Sequence, residues 1–122
     1  MGKLLVVDDE VNTCDTLKDI LGRQHTVFTA NSAQEGLDIL AKEKPEMILS
    51  DIKMPNMTGV EMLAKIREID KDVVVVFITG YGALDTAQEA MNLDAFDYIS
   101  KPFELELIKS VVKEGLEARA KR

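Results

Sequence analysis

The sequence predicts an α/β domain: a five-stranded parallel sheet wound on both faces by helices. Three observations lead there. Short apolar runs alternate with stretches of helical periodicity, five of each, along the 122 residues; such alternation implies right-handed βαβ units. The clearest runs are continuous rather than polar–apolar in turn, as in strands buried on both faces. Polar residues follow most of the runs, at the edge where a parallel sheet binds its ligands.

The elements follow in order. Leu4-Leu5-Val6-Val7 is the heart of a first strand over 3–7, which runs into Asp8-Asp9-Glu10. Val11, Cys14, Leu17 and Leu21 recur at helical spacing, with Gly22 as the stop. Thr26 to Ala30 is a weaker strand suited to an edge. Ser32 to Glu35 fits a capping box, and the helix it opens ends before Pro45. Met47 to Ser50 is a third strand and delivers Asp51; Pro55 lies shortly beyond. Thr58 to Glu61 is a second capping box, opening a helix through Ile69. Val73 to Ile78 is a fourth strand, Thr79 to Gly82 a loop, and Ala83 to Leu93 a helix. Phe96 to Ile99 is the last strand, Lys101-Pro102 a turn, and Glu104 to Ala120 an amphipathic helix.

Composition narrows the function. Residues 1–122 suffice for one domain with one sizeable core. A net charge of −7 argues against a direct grip on nucleic acid or on an anionic membrane. The single cysteine excludes an internal disulfide. The longest apolar run, Val73 to Ile78, falls far short of the ~20 residues a bilayer requires. No basic-then-apolar leader opens the chain, so a cytoplasmic location is expected.

In this topology Asp8, Asp9, Asp51, Thr79, Ser100 and Lys101 all fall at the C-terminal rim of the sheet. Two like charges 4 Å apart repel by about 4 kcal/mol at an effective dielectric near 20, so clustered carboxylates need a counter-charge. Mg²⁺ suits a few carboxylates plus waters, and Lys101 adds a second, mobile cation. A cation, an ammonium and a hydroxyl together suit a phosphoryl group, and an aspartate can be its attacking group. Spacing alone does not say which aspartate attacks.

Asp8-Asp9, Asp51 with Met54-Pro55 and Gly59, Thr79-Gly80, and Tyr98 with Lys101-Pro102 resemble the receiver domain of bacterial two-component response regulators, over nearly the whole chain. The resemblance implies a flavodoxin-like sheet of order 2-1-3-4-5. It makes Asp51 the phospho-acceptor, with Asp8, Asp9, Asp51 and the Lys53 backbone carbonyl as Mg²⁺ ligands. Thr79 is then the hydroxyl that meets the phosphoryl oxygen, Lys101 its ion-pair partner, and Tyr98 the switch aromatic. The Lys101–Pro102 bond is expected to be cis. A sensor histidine kinase is the implied donor. Gly80 to Ala87 and Ala95 to Tyr98 are most similar to receivers of nitrogen-regulator-type (sigma-54-dependent) transcriptional activators. That likeness implies a C-terminal output domain outside this chain, transcription regulation, and a homodimer through the fourth helix, last strand and last helix. Asp94 departs from it, standing where that subgroup has glycine.

Plainer readings stand beside these. Asp8, Asp9 and Asp51 taken singly are helix-capping acids at strand ends. Thr79 alone is a turn hydroxyl, Lys101 a solvated charge, and Tyr98 a core aromatic. Cys14 reads as a small core residue, His25 as an exposed turn residue, and Met54, Met57 and Met62 as gap fillers. Two other functions carry weight: a haloacid-dehalogenase-like phosphatase, and an interaction module independent of phosphorylation. The first wants a second acid two positions after its nucleophile, where this chain has Lys53. Lys53 and Tyr81 are also bulky enough to hinder an attacking water, which predicts a long-lived phosphate.

Overall fold

A computed structural model of the chain describes residues 2–80 and 95–121, with Thr79 described by its backbone alone. Strands β1 (Lys3–Val7), β2 (Thr26–Ala30), β3 (Met47–Asp51), β4 (Val74–Thr79) and β5 (Asp97–Ser100) form one parallel sheet in the order β2-β1-β3-β4-β5. Among the described residues, four helices join or follow them: α1 (Val11–Leu21), α2 (Ala33–Glu43), α3 (Gly59–Ile69) and α4 (Leu105–Ala120). The helix expected over 83–93 lies outside the described residues, as do Tyr81 and Asp94.

Side chains alternate across a strand, so each apolar run feeds two cores. Leu5, Val7, Ile48, Val75 and Phe77 face α2 and α3, meeting Leu37, Leu40, Met62, Leu63 and Ile66. Leu4, Val6, Met47, Leu49, Val74 and Val76 face the other way, against Cys14, Leu17 and Leu21 of α1 and Ile108, Val111 and Val112 of α4. Each strand residue in these runs leaves water almost completely, at about 25 cal/mol per Å² of apolar surface. This explains why the runs lack polar alternation. β2 pairs only with β1 and carries two half-buried residues, as an edge strand does.

Helix ends follow local chemistry. Thr58 and Glu61 close a capping box in both directions, whereas Ser32 Oγ accepts from the Glu35 amide at 3.1 Å. Lys44, just ahead of Pro45, ends α2 with φ 50°. Gly22 does cap α1, but in the right-handed conformation (φ −67°) rather than the left-handed one that favours glycine.

Three strands end one residue later than expected, and pairing explains each. β3 extends to Asp51, which pairs with Ile78, and β4 extends to Thr79, which pairs with Ser100. β5 runs Asp97–Ser100, one residue later than expected, because its register on β4 starts at Asp97↔Val76. His25 is half-buried, not exposed: its Nδ1 accepts from the Gly2 amide at 3.1 Å.

Candidate functional site

The C-terminal ends of β1, β3 and β5 bring four of the predicted residues together. Asp8 lies one residue past β1, Asp51 ends β3, and Lys101 follows β5. Asp9 comes with Asp8. Carboxylate oxygens of Asp8, Asp9 and Asp51 all lie within 4.8 Å of one another. Lys101 Nζ stands among them, 3.1 Å from Asp8 Oδ2 and 3.4 Å from Asp51 Oδ2.

Burial and hydrogen bonds separate the three acids. Asp8 is 2% exposed and Asp51 7%, while Asp9 is open to solvent. Asp8 Oδ1 accepts from the Glu10 amide at 2.9 Å, and Asp51 Oδ1 from the Lys53 amide at 3.3 Å. Burial pushes the Asp51 carboxyl above the usual carboxylate range; Lys101 opposes that shift and the Asp8 charge adds to it. Burial works to lower the Lys101 ammonium. Its hydrogen bond to Asp8 and the charges of Asp51 and Asp8 outweigh this, and the net shift is upward.

The loop after β3 is fixed by close packing. The Gly59 amide donates to Ile52 O at 2.6 Å. A Cβ at Gly59 would stand 2.7 Å from both Asp51 O and Phe77 Cε1. Glycine is thus required by proximity, since α3 starts directly against the strand end that carries Asp51. Asn56 turns the loop with φ 71°, a conformation asparagine tolerates better than most residues.

Of the other predicted residues, the Lys53 side chain is exposed beside the site. Thr79 is placed by its backbone at the end of β4, between β3 and β5. Tyr98 is 38% exposed on β5. The Lys101–Pro102 peptide bond is cis.

Three contributors escaped the sequence reading. Glu10 Oε1 lies 3.9 Å from Lys101 Nζ. Ser50 Oγ, fully buried, donates to Asp51 O at 2.9 Å. Asn31 Nδ2 donates to Asp8 O at 3.2 Å. Glu10, beside Asp8-Asp9, was the one with a signal in the sequence. Asn31 depends on which strand lies next to which; the Ser50 bond is local, to the next residue of β3.

The site suits a hard divalent cation. Three acceptor-only carboxylates lie within 4.8 Å of one another, and one ammonium pairs with two of them, so negative charge is in excess in this cluster. Oxygen-only donors of this kind match Mg²⁺ rather than a softer metal.

A sheet of this order carries acids at the ends of its first and third strands and a lysine after its fifth. The chain belongs to the response regulator receiver domain family, which matches residues 4–113. It is 36% identical over 115 residues to sporulation initiation phosphotransferase F of Bacillus subtilis (strain 168), covering 93% of each chain. It is 32% identical over 121 residues to the regulatory protein AtoC of Escherichia coli (strain K12), covering 98% of this chain and 26% of AtoC. The chain thus spans nearly all of the first relative and about a quarter of the second. A receiver domain protein from Clostridium thermocellum superposes with a TM-score of 0.94 at 31% identity, with 98% of each chain covered. NtrX from Brucella abortus gives 0.92 at 31% identity, covering 98% of this chain and 28% of that one. Receiver domains work with histidine kinases and bind Mg²⁺ in an acidic pocket.

Proposed function

We propose that this chain is a phosphorylation-activated switch in which Asp51 takes a phosphoryl group from a sensor histidine kinase. The observation that carries the reading is the placement of Asp51: buried at a strand end, between two acids and one lysine. An ionised Asp51 oxygen attacks the phosphorus of a phosphohistidine in line. The P–N bond breaks, its electron pair stays on the imidazole, and an acyl phosphate forms.

Asp8, Asp9, Asp51 and the Lys53 carbonyl would hold Mg²⁺, which when bound supplies positive charge to the transferring phosphoryl oxygens. Lys101, already paired with Asp51, moves its charge to the new phosphate. The phosphoryl group carries about −1.5 to −2 charges at neutral pH in place of the single charge of the carboxylate it is built on. This draws in the Thr79 hydroxyl, and Tyr98 follows from its half-exposed position.

The output surface is the face of β5 and α4, with the predicted helix over 83–93. Leu105 and Leu107 are 49% and 47% exposed there, which supports a homodimer or a docked output domain. Regulation of transcription is the output we favour, because relatives such as AtoC and the transcriptional regulatory protein ZraR are longer proteins that carry a similar segment. A cytoplasmic location accords with a kinase partner; no described helix is long and apolar enough to cross a membrane. Lys53 and Tyr81 are proposed to prolong the phosphate by screening it from water.

The test uses a small phosphodonor with Mg²⁺. The wild-type chain should incorporate acid-labile phosphate and Asp51→Asn should not. Equal incorporation by the two defeats the assignment. Smaller residues at Lys53 and Tyr81 should shorten the phosphate lifetime; an unchanged lifetime removes that part.

A further inference from the structure

We infer that Asn31 and Cys14 act together as positioning residues for the cation site, by fixing the main-chain carbonyl of Asp8. The inference rests on the reading above, in which Asp8 helps hold Mg²⁺ beside Asp51.

Asn31 Nδ2 donates to Asp8 O at 3.2 Å, and Cys14 Sγ reaches the same oxygen at 3.4 Å. Cys14 Sγ also lies 3.6 Å from Ala30 O and 3.7 Å from Asn31 Nδ2, so the groups form one small network. The Asp8 amide donates to Ala30 O at 3.0 Å. Its side-chain oxygens take the Glu10 amide and Lys101 Nζ. Every polar atom of Asp8 therefore has a partner, and the main-chain ones are tied to the end of β2 and to α1.

The network has a purpose in electrostatics. Three carboxylates within 4.8 Å of one another repel. A β1–α1 turn free to shift relieves that repulsion by moving Asp8 away from Asp51, and the cation then has to draw it back. Anchoring the Asp8 carbonyl sets the spacing beforehand. Topology puts Asn31 in place: Val7 pairs with Ala30, so the residue after Ala30 lies beside Asp8. An asparagine amide has two N–H groups, one for the carbonyl and one for the sulfur. A thiol is a weak donor, so Asn31 carries the larger share. Asn31 is also an exposed residue, so its replacement acts on the turn and spares the core.

The experiment is a calorimetric Mg²⁺ titration of the whole chain: wild type, Asn31→Ala, Cys14→Ala, Cys14→Ser and the double alanine variant. Asn31→Ala should bind Mg²⁺ about 10-fold more weakly, the lower end of what outer-shell partners of metal ligands cost. The double variant should lose more, and Cys14→Ser, which keeps a donor, should stay near wild type. Phosphate uptake from a small phosphodonor should show the same shift in its Mg²⁺ midpoint, with a wild-type plateau at saturating Mg²⁺. A merely structural role lowers the melting temperature and the plateau and leaves the midpoint in place; that result overturns the inference. So does wild-type Mg²⁺ affinity in Asn31→Ala and the double variant. If the wild type binds Mg²⁺ but Asp51 takes no phosphate, the acceptor assignment fails while the titration still judges the anchor. A wild type that binds no Mg²⁺ overturns both.

Discussion

Lys101 Nζ lies 3.4 Å from Asp51 Oδ2, although 50 residues and a whole strand separate the two. The same ammonium lies 3.1 Å from Asp8 Oδ2. One cation thus holds two buried acids that would otherwise repel, and it stands at the site proposed above for the phosphoryl group and the metal.

Lys101→Met should therefore move two properties in opposite directions. Removing a positive charge from the carboxylates should tighten Mg²⁺ binding. Phosphorylation should slow by about 10- to 100-fold, the equivalent of losing one charged hydrogen bond of about 1.5–3 kcal/mol. Mg²⁺ titration and a phosphodonor time course on the same samples read both effects. Parallel weakening of the two rules this out.

Asp51→Asn should stabilise the protein when Mg²⁺ is withheld. Ionised Asp51 is buried beside Asp8, and the amide removes that repulsion while keeping the shape. A gain of about 1 kcal/mol raises the melting temperature of a domain this size by roughly 4 °C. Added Mg²⁺ should raise the wild type more than the variant and narrow the gap. Calorimetric melts with and without Mg²⁺ decide it.

His25 should make stability pH-dependent on the acid side. Burial lowers its value from 6.5, with Glu46 opposing, so the unfolded chain binds the proton more readily. Its contribution is complete above pH 6.5 and is lost as pH falls through the lowered folded value. Protonated Nδ1 can no longer accept from the Gly2 amide. The effect on the melting temperature should be about 2 °C or less, because the half-exposed ring is partly screened. His25→Gln should flatten the profile between pH 7 and the folded value; a slope unchanged by the substitution shows that another group is responsible.

Cys14 should be unreactive while the protein is folded. Burial, with a smaller contribution from the Asp8 charge, pushes its thiol up to about 11. A two-unit rise cuts the thiolate fraction about a hundredfold at mild alkaline pH, and the site is closed to reagents besides. A thiol-reactive dye should label it only at the rate of unfolding. Rapid labelling in native buffer shows the α1 packing to be looser than described.

Gly59→Ala should strike both stability and the site. The new methyl group would stand 2.7 Å from Asp51 O and Phe77 Cε1, and 2.8 Å from Ile52 Cα. Overpacking of this kind costs about 1–3 kcal/mol, measurable in the urea midpoint. The strand end carrying Asp51 has to move, so Mg²⁺ affinity should fall as well. A neutral substitution means that α3 can slide away freely.

Much of this was legible in the residues. The unbroken runs Leu4–Val7 and Met47–Leu49 predicted strands buried on both faces because each has two cores to fill. Thr58 and Glu61 predicted the start of α3 because a capping box is made within four residues. Strand ends were less legible. Thr79 and Asp51 look like loop residues, yet each belongs to the sheet through its partner on a neighbouring strand. The polar character of His25 gave no hint that the Gly2 amide would cover one of its nitrogens.

The sequence by itself determined the βα alternation and the acids and lysine that follow its strands, because both follow from local patterns of apolarity and charge. The likeness of Asp8-Asp9, Asp51, Thr79 and Lys101-Pro102 to receiver domains added the strand order and the residue roles. Only the tertiary structure decided that Lys101 is shared between Asp8 and Asp51, that Asp9 stays in solvent while its neighbour is buried, and that Asn31 meets the Asp8 carbonyl. Those contacts and that burial involve residues far apart in the chain, and they are set by how β2, β1, β3, β4 and β5 lie side by side.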